Sequence, residues 1–239
     1  MRAVVFCEGT TDLLMIQFVL QYRYGWKYQG FVENSETNRL IKRKLKKEEA
    51  TIEIRSCGGI MNIPNELKEL QEQIAFSVRK NEVFDKVFVL IDHDTVSSNV
   101  EFMDKVNEKL ETKFSEVDIN VERKWKISNE IMGEQVIDIF IKCLPESETG
   151  AIEKIMLEAL STDNLEQEII DKSNEFIIKM AQTQKRYLQR KSLISKAIFN
   201  TYFAIRTPEE KYDERARILK AYDWKNNETI NKCFSFLDI

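Results

Sequence analysis

Four carboxylates stand where apolar runs end. VVFCEGTTD (residues 4–12) places Glu8 and Asp12 around Gly9, and KVFVLIDHD (86–94) closes on Asp92 and Asp94. A third run, TIEIRSCGG (51–59), ends in the pair Gly58-Gly59. On an extended segment, side chains two apart share a face, so Asp92 and Asp94 aim at one point while His93 turns away. Glu8 leaves the tip of its strand, and Asp12 falls in the first turn of the helix that follows. Four carboxylates on one rim repel one another unless a cation sits between them, and hard oxygen ligands select magnesium, or manganese, over zinc. A carboxylate-held divalent cation at a strand rim suits phosphoryl chemistry, because it neutralises phosphate charge and orients the attacking oxygen. Gly9, Gly58 and Gly59 fit the same purpose, since a missing side chain lets backbone N–H groups approach a phosphate.

The elements that must position these groups are legible in the pattern of apolar residues. Residues 3–7 read as a strand and 12–24 as the helix it feeds, with Thr10 or Thr11 as N-cap. Residues 51–59 read as a second strand, followed by a helix from about Pro64 to Arg79. The segment 86–94 is apolar without alternation, as in a strand covered on both faces, and a helix over 98–113 follows. Residues 119–127 alternate as an edge strand does, and 136–145 form another strand stopped by Pro145. Repeated strand-helix units predict a Rossmann-like α/β domain with a parallel sheet over 1–148, where ligands bind beyond the carboxyl ends of the strands. From Thr149 to Ile239 the text is helical, and it reads as an extension packed on that domain.

Composition narrows the function classes. The 239 residues carry a net charge of -4, so the chain has no global basic footprint for nucleic acid, and any such contact must be local or bridged by metal. Four cysteines are scattered without a C-x-x-C pair, which reads as buried thiols in a reducing compartment rather than a zinc site or a disulfide framework. The run starts in a strand pattern with no leader-like organisation and no membrane-length apolar stretch, which predicts a cytoplasmic protein.

The ordered set VVFCEGTTD, SCGG and VFVLIDHD resembles the Toprim domain of topoisomerases, bacterial primases, recombination proteins and the overcoming-lysogenization-defect (OLD) family nucleases. The extra Asp12 resembles the nuclease branch. The later segment FIKCLPESETGAIEKIMLEAL is similar to small stand-alone Toprim proteins and extends the match to about residue 160, adding Glu153 as a metal ligand. The resemblance implies that Asp92 and Asp94 bind magnesium, that Glu8 is a metal ligand or general acid/base, and that Asp12 supports the metal. The expected activity is a magnesium-dependent nuclease, a hydrolase acting on DNA or RNA, with a protein partner supplying specificity.

Two basic stretches bear on that expectation. RLIKRKLKK (39–47) is basic enough to contact a phosphate backbone but reads more simply as a solvated helix face, and QKRYLQRKSLISK (184–196) interleaves Tyr187 with cations along an approach to the metal. Lys196 is the candidate transition-state cation, like the lysine that OLD-type nucleases place near their metals. Two alternatives stay open. One is a non-catalytic metal- or nucleic-acid-binding module. The other is a haloacid-dehalogenase-like phosphatase, because VFVLIDHDTV (87–96) also resembles the D-x-D-x-T pattern, with Asp92 as nucleophile, Asp94 as acid/base and Val96 in the threonine position, although that family places the motif after its first strand and leaves Glu8 and Asp12 unexplained.

Overall fold

The computed structural model describes residues 1–32, 41–94, 98–114, 119–146, 148–184, 186–208 and 219–239. Seven strands form one sheet: β1 (Arg2–Cys7), β2 (Lys27–Val32), β3 (Ile41–Lys47), β4 (Ala50–Ser56), β5 (Lys86–Asp92), β6 (Glu122–Asn129) and β7 (Gly133–Leu144), in the spatial order β2-β3-β4-β1-β5-β7-β6. Helices α1 (Thr10–Phe18), α2 (Ile63–Ala75) and α3 (Ser98–Leu110) follow β1, β4 and β5. β1 pairs in parallel with both β4 and β5. β7 runs in the same sense as β5, since Asp138 N–H donates to Asp85 O at 3.1 Å near one end and His93 N–H to Leu144 O at 3.0 Å at the other.

The sheet is mixed, which corrects the expectation of repeated parallel strand-helix units. β2 and β3 form an antiparallel pair that extends the sheet beyond β4, and β6 returns against β7 as a hairpin. The hairpin is set by Asn129, whose Oδ1 accepts the Ile131 and Met132 N–H groups while its Nδ2 donates to Ile74 O and Ser77 O. The basic run is likewise not a helix face, for its described part is strand β3. Only Leu45 of that strand is fully buried, and Lys44 and Lys46 are exposed.

Burial explains the rest. Ala3–Cys7 and Val87–Ile91 are inaccessible on both faces, as their unbroken apolar text requires. On one face, Val4 and Phe6 of β1 join Val87, Val89 and Ile91 of β5 and Ile137, Ile139 and Ile141 of β7. That face meets the stripe Ile63, Leu67, Leu70 and Ile74 of α2, spaced at three and four, and Phe102, Met103, Val106 and Leu110 of α3. Trp125 belongs to this cluster.

The chain divides into two compact units. The first holds Met1–Gln17, Gly25–Ile91 and Ser97–Cys143, and the second Phe18–Tyr24, Asp92–Val96 and Leu144–Ile239. The boundary therefore falls not only near residue 148 but also inside the D-x-D strand, assigning Asp92 to the helical unit. That unit contains α4 (Ile152–Leu160), α5 (Asn164–Thr183), α6 (Lys191–Arg206) and α7 (Glu228–Phe234), with α4 against α5, α6 and α7. Its core includes Met156, Phe199, Tyr202, Phe203, Trp224 and Phe234. Among the described residues no helix is long and apolar enough to cross a membrane.

Candidate functional site

The strand-mouth residues of the first unit form one group. β1 and β4 run side by side in parallel, so their carboxyl ends share a rim, and Gly59 N–H donates to Glu8 O at 2.9 Å. Glu8 is half-buried there. Gly58 has φ 71° and Gly59 φ 127° with ψ 153°, and the Gly59 conformation is one that essentially only glycine adopts. The turn from β4 toward α2 therefore depends on its glycines. Asp12 caps its own helix. α1 starts at Thr10, and the third helical residue reaches back so that Asp12 Oδ2 accepts Gly9 N–H at 2.8 Å. That is the acidic half of a capping box, which satisfies an orphan donor at the helix start.

The second unit carries the most highly constrained charges. Asp92, the last residue of β5, is only 4% exposed. Its Oδ1 accepts Ile152 N–H at 3.1 Å, at the first residue of α4, and its Oδ2 accepts from Lys196 Nζ at 2.7 Å. A carboxylate suits that place, because a helix N-terminus offers unpaired N–H groups and partial positive charge. Glu153, the next residue of α4, is also buried. Burial and the neighbouring Asp92 carboxylate push its carboxyl up to about 7, with Lys196 opposing. Its Oε2 is buried and has no hydrogen-bond partner among the described residues. Burial also holds the Asp92 carboxyl above the usual carboxylate range, against the pull of Lys196 and the Ile152 amide.

Backbone bonds fix this arrangement. His93 N–H donates to Leu144 O, and His93 O accepts Gly150 N–H at 2.8 Å. The His93 ring turns to Pro145 O, 3.2 Å from Nδ1, so the only histidine packs locally. Asp94 stands 3.6 Å from the Arg190 guanidinium. Asp92, Asp94, Glu153 and Lys196 are thus gathered in one unit. The tie from Arg190 to Asp94 is not signalled by the sequence. Thr95 and Val96, the last two positions of the D-x-D-x-T-like segment, and Lys185 of the basic stretch lie outside the described residues.

A divalent cation fits the chemistry of this donor set. Two buried carboxylates face one ammonium, and one carboxylate oxygen is orphaned in a place where leaving a polar atom unsatisfied is costly. Among the described residues no three His, Cys, Asp or Glu side chains gather in a way that would hold a metal by themselves.

Fold and site together define an open α/β protein of the Rossmann-like kind, with acidic groups at strand ends and a helical unit that carries Asp92, Glu153 and Lys196. The chain belongs to the family described as protein of unknown function (DUF3226), whose model matches residues 2–238. It is similar in structure to a hypothetical protein, PH0156, from Pyrococcus horikoshii OT3, with 16% sequence identity and a TM-score of 0.59 over 100% of this chain and 96% of the other. That likeness extends to the fold alone. No curated protein matches the chain.

Proposed function

We propose that this protein is a magnesium-dependent phosphodiesterase acting on nucleic acid, of the Toprim kind that its strand-end motifs resemble, with manganese able to substitute. The observation that carries the reading is the pairing of Asp92 with Lys196 beside the buried, orphaned Glu153 oxygen. Asp92 and Glu153 would hold the cation, which supplies charge neutralisation of the phosphate and activation of water. Lys196, on a flexible stem anchored in α6, is a point charge suited to the negative charge that builds on a phosphoryl group. The N-terminus of α4 fixes Asp92, so the carboxylate is oriented before any substrate arrives. Asp94 tunes the field at Asp92 and is itself tied to Arg190. The role that the resemblance implies for Glu8, in proton transfer or in holding a second cation, belongs to the same reading and is tested with Glu8→Gln.

Supercoiled plasmid and labelled RNA, incubated with magnesium or manganese, test the activity. The wild type should cut at least one of them, and Asp92→Asn and a chelated sample should cut neither. The Asp92–Lys196 pair also suits a second reading, in which Asp92 is the nucleophile of a phosphatase. Trapping separates the two: a phosphorylated Asp92 after incubation with a phosphate monoester, without strand cleavage, would replace the nuclease reading. Silence of the folded protein in both assays would favour a binding-only module.

A further inference from the structure

Between α5 and α6 the chain carries three cations, Arg186, Arg190 and Lys191, within six residues that also hold an exposed aromatic ring, Tyr187. Tyr187 is 67% exposed, and the Arg186 guanidinium stands 5.5 Å from its ring centre. Arg190 occupies the N-cap position of α6 with no side-chain cap, Lys191 is the first helical residue, and the first turn holds no acid. Cations here add to the positive end of the helix dipole, the arrangement a helix start disfavours. Neither Arg186 nor Lys191 makes an ion pair among the described residues, and the acid beside Arg190 is Asp94 at 3.6 Å. For the protein alone this turn is electrostatically unfavourable and leaves a large ring in water. A polyanion with flat bases removes both penalties.

The same turn leads to the acid centre. Arg190 is held next to Asp94, and Lys196 lies six positions further along α6, about 9 Å at the helical rise, in contact with Asp92. Beside the start of α6, a cleft of about 510 Å³ opens among α4, α5 and α6, lined by Leu157, Ile170, Ile194 and Ile198 and by charges of both signs, Lys154 and Lys191 with Glu148, Glu158 and Asp171. Its size lies in the range of small-ligand pockets and it could receive a base turned out of a stack.

From this geometry we infer that the α5–α6 turn is a platform for an unpaired nucleic-acid strand, with Tyr187 stacking a base and Arg186, Arg190 and Lys191 taking its phosphates. The inference rests on the nuclease reading for its direction and narrows the substrate to single strands. A duplex keeps its bases stacked inside and offers a ring such as Tyr187 nothing to stack on, whereas an unpaired strand exposes a π-face at every residue. Cleavage would then take place where a strand running past Arg190 meets Lys196.

Anisotropy of fluorescein-labelled oligothymidine, oligouridine and a duplex, titrated with the full chain in chelator, tests binding without turnover. At least one of the two single strands should bind more tightly than the duplex, and the two single-strand arms tell DNA from RNA. Tyr187→Ala should weaken single-strand binding roughly tenfold, the size of one lost base stack, while Tyr187→Phe keeps it. Arg186→Gln should reduce the slope of log K against log salt by about one, as for one lost phosphate contact. Equal affinity for duplex and single strands, or a Tyr187→Ala protein that binds as the wild type does, would overturn the platform. Strand binding that depends on Tyr187 in a protein that never cleaves would sink only the nuclease reading. Cleavage by a protein whose binding ignores Tyr187 would sink only the platform.

Discussion

Replacing Glu153 by glutamine should stabilise the cation-free protein, by an amount that grows as pH rises from 4.5 to about 7. Burial and the Asp92 carboxylate raise the Glu153 carboxyl from 4.5 to about 7, so between these values the folded chain holds a proton that the unfolded chain has released. Stability therefore falls as pH rises through that window and levels off above it. At about 1.4 kcal/mol for each tenfold change in proton affinity, the full effect is about 3 kcal/mol. Glutamine has the same shape and no charge, so Glu153→Gln should lie within about 1 kcal/mol of the wild type near pH 5 and exceed it by about 3 kcal/mol near pH 8. Urea unfolding in the presence of chelator, repeated from pH 5 to pH 8, measures this directly. A difference that does not change with pH, or a glutamine variant that is the less stable one at pH 8, would refute the placing of Glu153 as an uncompensated buried acid.

Other perturbations have equally definite outcomes. Lys196→Met removes the ammonium from a buried carboxylate and should cost about 2 kcal/mol, below the usual range for a broken buried pair because the lysine is more than a third exposed; adding Asp92→Asn should recover most of that loss in the same unfolding assay. Gly59→Ala meets no atom within 4 Å of the new Cβ, yet its φ of 127° alone should cost about 1–3 kcal/mol by chemical denaturation. Asp12→Asn keeps an oxygen for the Gly9 amide and should hold stability within about 0.5 kcal/mol, whereas Asp12→Ala should lose about 1 kcal/mol. If Asp12→Asn abolishes metal-dependent cleavage while folding normally, Asp12 supports the metal as well as capping the helix.

The central strands are legible because strands buried on both faces are written as unbroken apolar text, as in Ala3–Cys7 and Val87–Ile91. The antiparallel strands β2 and β3 are not. β3 buries one leucine among lysines and reads as a charged helix face, and only its pairing with β2 and β4 makes it a strand. The β6–β7 hairpin reads as two separate strands, because the turn is held by Asn129 through bonds to Ile74 and Ser77, which are remote in sequence. At the site, the acids are visible from their place after strands, and Lys196 from its place in an apolar helix. The link from Arg190 to Asp94 joins residues 96 positions apart and has no local signal. Asp12 shows the reverse limit: an acid three residues into a helix is as well explained by its cap as by a metal, and spacing cannot separate the two.

Calorimetric titration of the folded, chelator-stripped protein with manganese tests the cation at Asp92 and Glu153 most directly. The wild type should bind saturably, Glu153→Gln more weakly, and Asp92→Asn not measurably, with all three folded by circular dichroism. A folded wild type that takes up no manganese, or an Asp92→Asn protein that binds it as tightly as the wild type, would contradict the assignment of these carboxylates to a metal.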